Sequence, residues 1–421
     1  MKSKNRKSKK DKSEKQYIPL ANIKVVGIGG GGGNVISRMG RDFMRGVDFV
    51  AINTDHQDLD HCEARKKIYI GKNLTRGLGT GMSPDLGRQA AEENRSEIAE
   101  ALSGADLIFV AACFGGGTGT GAAPVVAEVA RQSGALTIAF ATRPFAFEGS
   151  QRERIAQEGL AKIKDKVDAL IVVPNDRIFT VINKDTPIIR AFEVIDDILK
   201  NALKGIVELI MTPGIINVDF ADVKNVIQDA GSAIVGIGVA SGQDRAVAAV
   251  NQALNSPLLE VTAEGAKGVI LGISGSRDLK MTEINEAAKV VAQVADPSAR
   301  IIFGAYYDRK LKPNQIKVTL IATGFNGSGH NGGGNSLFDG GFSLSKKSDF
   351  FDPVKSSLEI SQPRGNEDGK KGKPEPILAK KENLVEKGIK LFGSAQDKPE
   401  AKKERENDIW DIPTFLRKKK K

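Results

Sequence analysis

Two runs of glycine carry the clearest chemistry in this sequence. Residues 27–40 read GIGGGGGNVISRMG, with five consecutive glycines at 29–33, and residues 115–121 read GGGTGTG. Glycine loses more backbone freedom on folding than any other residue, so five in a row need a reason. One reason is an anion. A glycine loop between a strand and a helix points successive backbone N–H groups at phosphate oxygens, aided by the positive end of the helix. GIGGGG (27–32) also satisfies the dinucleotide fingerprint, with Asp48 or Asp55 near the acidic position expected some twenty residues on. A Walker A loop is excluded, because no Lys-Ser/Thr follows the glycines. NKDT (183–186) lacks the spacing of the usual guanine-reading motif. A dinucleotide enzyme needs one such loop, whereas two loops from neighbouring strands suit a longer polyphosphate. Thr118 and Thr120 add hydroxyl donors to the second run, and TRGLGTGMSP (75–84) fits the same mouth.

These residues need a scaffold. Apolar runs at 23–29, 46–55, 105–117, 135–145 and 168–176 are bounded by turn residues and alternate with helical stretches. Continuous β-branched runs of this length suit strands buried on both faces, hence a parallel sheet with helical crossovers. Residues 191–214 read as one long helix, with Val194, Ile198, Ala202, Ile206 and Leu209 at helical spacing and Pro213-Gly214 as the stop. Strands at 232–240, 268–275, 300–308 and 315–325, alternating with helices at 244–255 and 282–295, predict a second, smaller α/β domain.

The chain has 421 residues and a net charge of +10. Residues 1–15 carry a net +6 and residues 417–421, RKKKK, add +5, so the remainder is close to neutral at −1. Basic ends can touch nucleic acid or anionic lipid. The simpler reading is a solvated tail, and nucleic acid is not the expected partner. No apolar run approaches the ~20 residues that span a bilayer, and the N-terminus lacks the apolar stretch of a secretory signal. Two cysteines, Cys62 and Cys113, form no disulfide framework, in keeping with a reducing compartment. NTDHQDLDHCE (53–63) fits no common zinc spacing, and no metal ligands are assigned. Residues 326–405 are rich in Gly, Ser, Lys, Glu and Pro and predict a disordered linker spanning roughly 50 Å, with a weak helical pattern at 377–392. Apolar side chains return in the last residues, NDIWDIPTFLRKKKK.

GGGTGTG is the tubulin-type signature. Together with GGGGGN (29–34), NTD (53–55), FEG (147–149), PND (174–176), NVDFADV (217–223) and the tail DIPTFLR (411–417), it makes the chain resemble the FtsZ family of bacterial tubulin-like cell-division GTPases. The resemblance covers about residues 20–325 and returns at the tail. It implies an α/β fold: a Rossmann-type GTPase domain over 18–190, a central helix over 191–214 and a C-terminal α/β domain over 215–325. A basic arm (1–17), a disordered linker (326–405) and a partner-binding tail (406–421) flank them. TGMSP (80–84) departs from the family's usual AGANP.

The resemblance further implies site roles. The phosphates of GTP or GDP would lie on Gly30, Gly31, Gly32, Gly33 and Asn34, and on Gly116, Gly117, Thr118 and Gly119. Glu148 matches a ribose-binding carboxylate, Arg152 and Asn175 match nucleotide contacts, Phe192 would stack on the base and Asp197 would read guanine. Asn217, Asp219 and Asp222 would complete the site of the next subunit and polarise the attacking water. Read from local sequence alone, Asp219 caps a helix and Asp222 sits in its first turn. Mg²⁺ is expected, held mainly by phosphates and water. The partners implied are the chain itself, in a head-to-tail polymer forming a division ring, and a membrane tether of FtsA-like type or other division proteins. The tail would reach them through Ile412, Pro413, Phe415 and Leu416. The place implied is the cytoplasmic face of the membrane at mid-cell. Two other classes stand beside this reading: a nicotinamide-dinucleotide Rossmann enzyme and a basic-tailed nucleic-acid scaffold.

Overall fold

The structure, a computed structural model, describes residues 21–40, 46–183, 185–256 and 263–325. The basic arm, the linker with its 377–392 stretch and the tail with Ile412, Pro413, Phe415 and Leu416 lie outside the described residues. Six strands form the first half: β1 (Ile23–Ile28), β2 (Val47–Asn53), β3 (Lys66–Tyr69), β4 (Leu107–Cys113), β5 (Leu136–Arg143) and β6 (Ala169–Pro174). All pair in parallel, as the continuous apolar runs predict. The helices are α1 (Gly29–Gly40), α2 (His56–His61), α3 (Lys72–Thr75), α4 (Pro84–Glu93), α5 (Arg95–Leu102), α6 (Thr118–Gln132) and α7 (Ser150–Lys164).

The two-residue period of a strand divides each between two cores. From β4, Leu107, Phe109 and Ala111 enter one core, with Val35, Ile36 and Met39 of α1. Ile108, Val110 and Ala112 enter the other, with Ala122, Val126 and Ala130 of α6. The sequence reading missed β3, whose KKIY has two exposed lysines and too short an apolar run to register.

Helix α8 (Ile188–Met211) begins three residues earlier than predicted and ends three earlier. Pro187 supplies the extended N-cap, and Thr212 is extended (φ −95°, ψ 120°), as the residue before a proline must be. Its Leu199, Leu203, Ile206 and Ile210 fill the first core. Beyond it lie α9 (Phe220–Ile227), β7 (Gly231–Ser241), α10 (Arg245–Leu254), β8 (Gly268–Gly275), α11 (Met281–Val294), β9 (Arg300–Tyr307) and β10 (Gln315–Thr323).

This second half has its own core, including Val250, Leu271, Ile273 and Leu320. Its sheet is mixed: β10 runs antiparallel to β7 and β8, while β8 and β9 are parallel. The sheet is also continuous with that of the first half, because Gly231–Ala233 of β7 pair in parallel with Ala169–Ile171 of β6. Ten strands therefore run in one order, β3-β2-β1-β4-β5-β6-β7-β10-β8-β9. Apolar patterning marks the second domain, but it cannot show that a three-residue pairing merges two sheets.

Candidate nucleotide-binding site

Strands β1 and β4 are adjacent, but α1 leaves β1 toward one face and α6 leaves β4 toward the other. The strand order reverses there, and in such sheets a crevice opens beyond the carboxyl ends of the strands. A cleft of about 400 Å³ lies at this point.

Its floor is made by the two glycine runs. The first is not a free loop: α1 starts at Gly29, directly after β1, with Gly29 at φ +70° turning the chain. A Cβ on Gly31 would strike Cys113 Sγ, and one on Gly32 would lie 2.5 Å from the Ala111 carbonyl oxygen. Strand β4 therefore demands these glycines before any ligand does. Gly30, Gly31 and Asn34 line the cleft. Gly32 and Gly33 do not; Gly32 is buried, and a Cβ on Gly33 would sit 3.9 Å from Cys62 Sγ.

In the second run, Gly116, Gly117, Thr118 and Gly119 all line the cleft. Gly115 makes the turn at φ +101°. A Cβ on Gly116 would meet nothing within 4 Å, so this backbone opens onto the cleft. The threonines do less ligand chemistry than their hydroxyls suggest. Thr120 Oγ1 accepts from Gly115 N–H at 2.9 Å and braces the turn. Thr118 Oγ1 shares hydrogen bonds with Thr54 Oγ1 (2.6 Å) and Thr80 Oγ1 (3.0 Å), tying three segments together. Thr80 belongs to the third glycine-rich stretch, whose Leu78, Gly79, Gly81 and Met82 also line the cleft. A Cβ on Gly29 would lie 3.0 Å from Gly119 N, so the N-termini of α1 and α6 meet at one spot. Each carries about half a positive charge and unpaired N–H groups.

At the other end the cleft is walled by Asn34, Arg38, Glu148, Arg152, Asn175, Phe192, Ile195 and Asp196. Glu148 Oε2 accepts from Arg152 Nη1 (2.6 Å), and its Oε1 accepts from Phe145 N–H (2.9 Å), which fixes the carboxylate at the cleft wall. Phe192 packs edge-on against Phe145, with ring centroids 5.6 Å apart. Among the buried side-chain nitrogen and oxygen atoms of the described residues, Asn175 Oδ1 alone has no hydrogen-bond partner. A buried acceptor left unpaired points to a missing donor. Cys113 lines the cleft as a neutral thiol, its pKa pushed up to about 11 by burial and by the neighbouring Asp196 and Glu148 charges.

One predicted residue is misplaced by a single position. Asp197 is exposed and outside the cleft, whereas Asp196 lines it and forms an ion pair with Arg38 of α1. Asp196 and Arg38 were both missed. The signal was present in the spacing, because each lies four residues beyond a cleft residue, Phe192 and Asn34 respectively. Asp55 lines the cleft and caps α2, accepting from Gln57 N–H at 2.9 Å, while Asp48 lies in an exposed pair with Arg65. Asp58 also lines the cleft and was not anticipated.

Asn217, Asp219 and Asp222 do not reach the cleft of their own chain. All three are exposed. Asn217 Oδ1 accepts from Gly214 N–H at 2.6 Å, and Asp219 is the N-cap of α9, accepting from Ala221 N–H at 3.1 Å. Asp222 lies in the first turn, as the local reading predicts.

Residues 22–183 match the GTPase domain of the tubulin/FtsZ family, and residues 231–326 match the C-terminal domain of the FtsZ family. Among solved structures, the chain is similar to an empty FtsZ dimer from M. jannaschii at 47% identity, covering 72% of this chain and 88% of that one, with a TM-score of 0.68. It also shares its fold with CetZ2 from Haloferax volcanii in a GTPγS-bound protofilament, at 22% identity, 72% and 92% coverage and a TM-score of 0.61. With both domains matched in order and the glycine-lined cleft between β1 and β4, the chain belongs to the FtsZ family of tubulin-like GTPases.

Proposed function

We propose that this chain is a polymerising cell-division GTPase whose nucleotide site is completed by the next subunit along a filament. The observation that carries this reading is the separation of two half-sites. The cleft holds two helix N-termini for phosphates and polar groups for a base, while Asn217, Asp219 and Asp222 stand exposed elsewhere. Phosphoryl transfer needs positioning and charge stabilisation rather than covalent chemistry. The N–H groups of Gly30, Gly31 and Gly116–Gly119 would hold the phosphates, and Glu148 and Arg152 the ribose side. Phe192 would stack on the base. Asp196, in place of Asp197, would accept the two N–H groups of guanine's edge, and Asn175 Oδ1 would gain its missing donor. Asp219 and Asp222 of one subunit would orient and deprotonate the water at the next.

Magnesium would screen the phosphate charge. Among the described residues no three His, Cys, Asp or Glu side chains gather around one point. A small hard cation would keep mainly water and phosphate ligands, and Asp55 and Asp58 are carboxylates that line the cleft. The relative described as a dimer accords with self-association. Residues 326–405 would tether the tail peptide 406–421, and Ile412, Pro413, Phe415 and Leu416 would dock on a membrane tether at mid-cell. No described helix is long and apolar enough to cross a membrane.

The test is GTP hydrolysis per subunit against protein concentration, with light scattering on the same samples. Specific activity that rises with assembly supports the shared site. Flat activity without scattering would make the chain a self-sufficient monomeric GTPase. Asp222→Ala should assemble yet lose most turnover; wild-type turnover in its filaments would refute the split site.

A further inference from the structure

Helix α9, with Asp219 at its cap and Asp222 in its first turn, follows α8 and lies across both halves: its Val223, Val226 and Ile227 pack in the first core, while its backbone is tied to the second half. Thr323 Oγ1 of β10 donates to the Val226 carbonyl at 3.0 Å, and Ile216 bridges Ala305 of β9. Its polar tie to the first half runs through the turn at its C-terminal end. Asp229 sits there at φ +54°. Its N–H donates to Asp168 Oδ1 (3.4 Å), and its carboxylate pairs with the guanidinium of Arg131. Asp168 is 5% exposed and takes the Thr137 N–H at 2.7 Å, while its carbonyl accepts the Gly231 N–H at 3.0 Å. Arg131 Nε lies 3.9 Å from Asp168 Oδ1, and Nη1 donates to the Asp165 carbonyl at 3.2 Å.

Arg131 stands in the last turn of α6, whose first residue, Thr118, lines the nucleotide cleft. Almost every residue of α6 from Thr118 to Ala130 is buried, so the helix, roughly 22 Å long, is held by packing along its length even though Pro124 removes one internal hydrogen bond. One end lines the cleft of its own chain and the other grips the turn behind α9. We propose that Arg131, Asp168 and Asp229 form a positioning bracket linking the cleft, through α6, to the acids that α9 offers the next subunit. Arg131 and Asp229 are thus positioning residues for hydrolysis, an assignment that rests on the shared-site reading above. The pair is poorly suited to a mainly stabilising role. Arg131 is 40% and Asp229 61% exposed at the side chain, and such pairs add little to folding.

The experiment uses the full chain. Asp229→Asn keeps a residue that tolerates the left-handed backbone while removing the charge. Arg131→Ala removes the other partner, and Arg131→Lys retains a cation. Three quantities are read: GTP binding to unassembled chain, sedimented polymer mass, and phosphate release per sedimented subunit. For Asp229→Asn and Arg131→Ala, binding and polymer mass stay within about twofold, and turnover per polymerised subunit falls about tenfold, as expected for a slightly misplaced reacting group. Arg131→Lys recovers most of that loss. Unchanged turnover per polymerised subunit in both variants overturns the bracket. So does a parallel loss of binding, polymer and turnover, which is the mark of a merely structural role. The wild-type concentration series separates the two levels. If wild-type turnover is flat with concentration, the shared site itself fails and the bracket fails with it; if it rises while the variants match wild type, the bracket alone fails.

Discussion

Phe192 and Asp196 stand four residues apart on α8 and both face the cleft, while Asp197 is exposed to solvent. Helix geometry accounts for this. Four residues advance about 400°, one full turn and roughly 40° more, so Asp196 returns to the face of Phe192, while a fifth residue adds another ~100° and leaves it. The carboxylate that α8 presents to the cleft is therefore Asp196, paired with Arg38.

Asp196→Ala is expected to weaken GTP binding about 10- to 100-fold, the worth of hydrogen bonds to a charged acceptor, and to erase the preference over ATP. Asp197→Ala should leave binding within about twofold. Competition binding with a fluorescent guanine nucleotide distinguishes the two.

The glycines separate by what they touch. Gly31→Ala drives a methyl into Cys113 and should destabilise the fold by about 1–3 kcal/mol. Gly116→Ala meets no protein atom, so the nucleotide-free thermal midpoint should hold while nucleotide affinity falls. Differential scanning calorimetry with and without GTP tests both.

Asn175→Leu replaces an unpaired buried amide oxygen with an apolar group of similar size. The nucleotide-free protein should gain about 1 kcal/mol, and nucleotide affinity should drop at the same time. Urea unfolding of the two proteins, with nucleotide titrations alongside, gives the answer. A loss of stability in the nucleotide-free form would mean that the oxygen is already satisfied.

Arg245 is buried and holds both oxygens of Glu283 (2.7 and 3.0 Å) and Asp278 Oδ2 (2.7 Å). Arg245→Ala should cost about 3 kcal/mol at neutral pH, because it strands a carboxylate. The Arg245 guanidinium holds the Glu283 carboxyl below its usual range. Its contribution is therefore complete above the unfolded value of about 4.3 and fades as pH falls through the lower folded value. The gap between wild-type and variant unfolding midpoints should narrow between pH 6 and pH 3.

Much of this architecture was legible in the sequence because the pattern is local. The continuous apolar runs of β1, β4 and β5 mark strands covered on both faces, and the stop at Pro213 follows from the missing N–H and the restricted preceding residue. Asp219 as the cap of α9 is read from its position before FADV, and the structure keeps it there. Strand β3 escaped notice because four residues with two solvent-facing lysines carry almost no period.

The site was legible in kind but not in detail. Residue type and order determined by themselves that two glycine-rich turns would follow parallel strands, and that a phosphate-bearing ligand would fit above them, because only glycine lets backbone N–H groups approach so closely. Tertiary structure alone decided which glycines line the cleft and which are required by β4, since Gly31 and Gly32 are separated from Cys113 and Ala111 by some eighty residues of chain. It decided that Thr120 braces a turn rather than offering a donor. It also decided that Asp196 and not Asp197 enters the cleft, because the phase of a 24-residue helix is set by which side packs into the core. Long-range packing has no signature in a local run of letters, and it is packing that turns a residue toward a ligand or away from it.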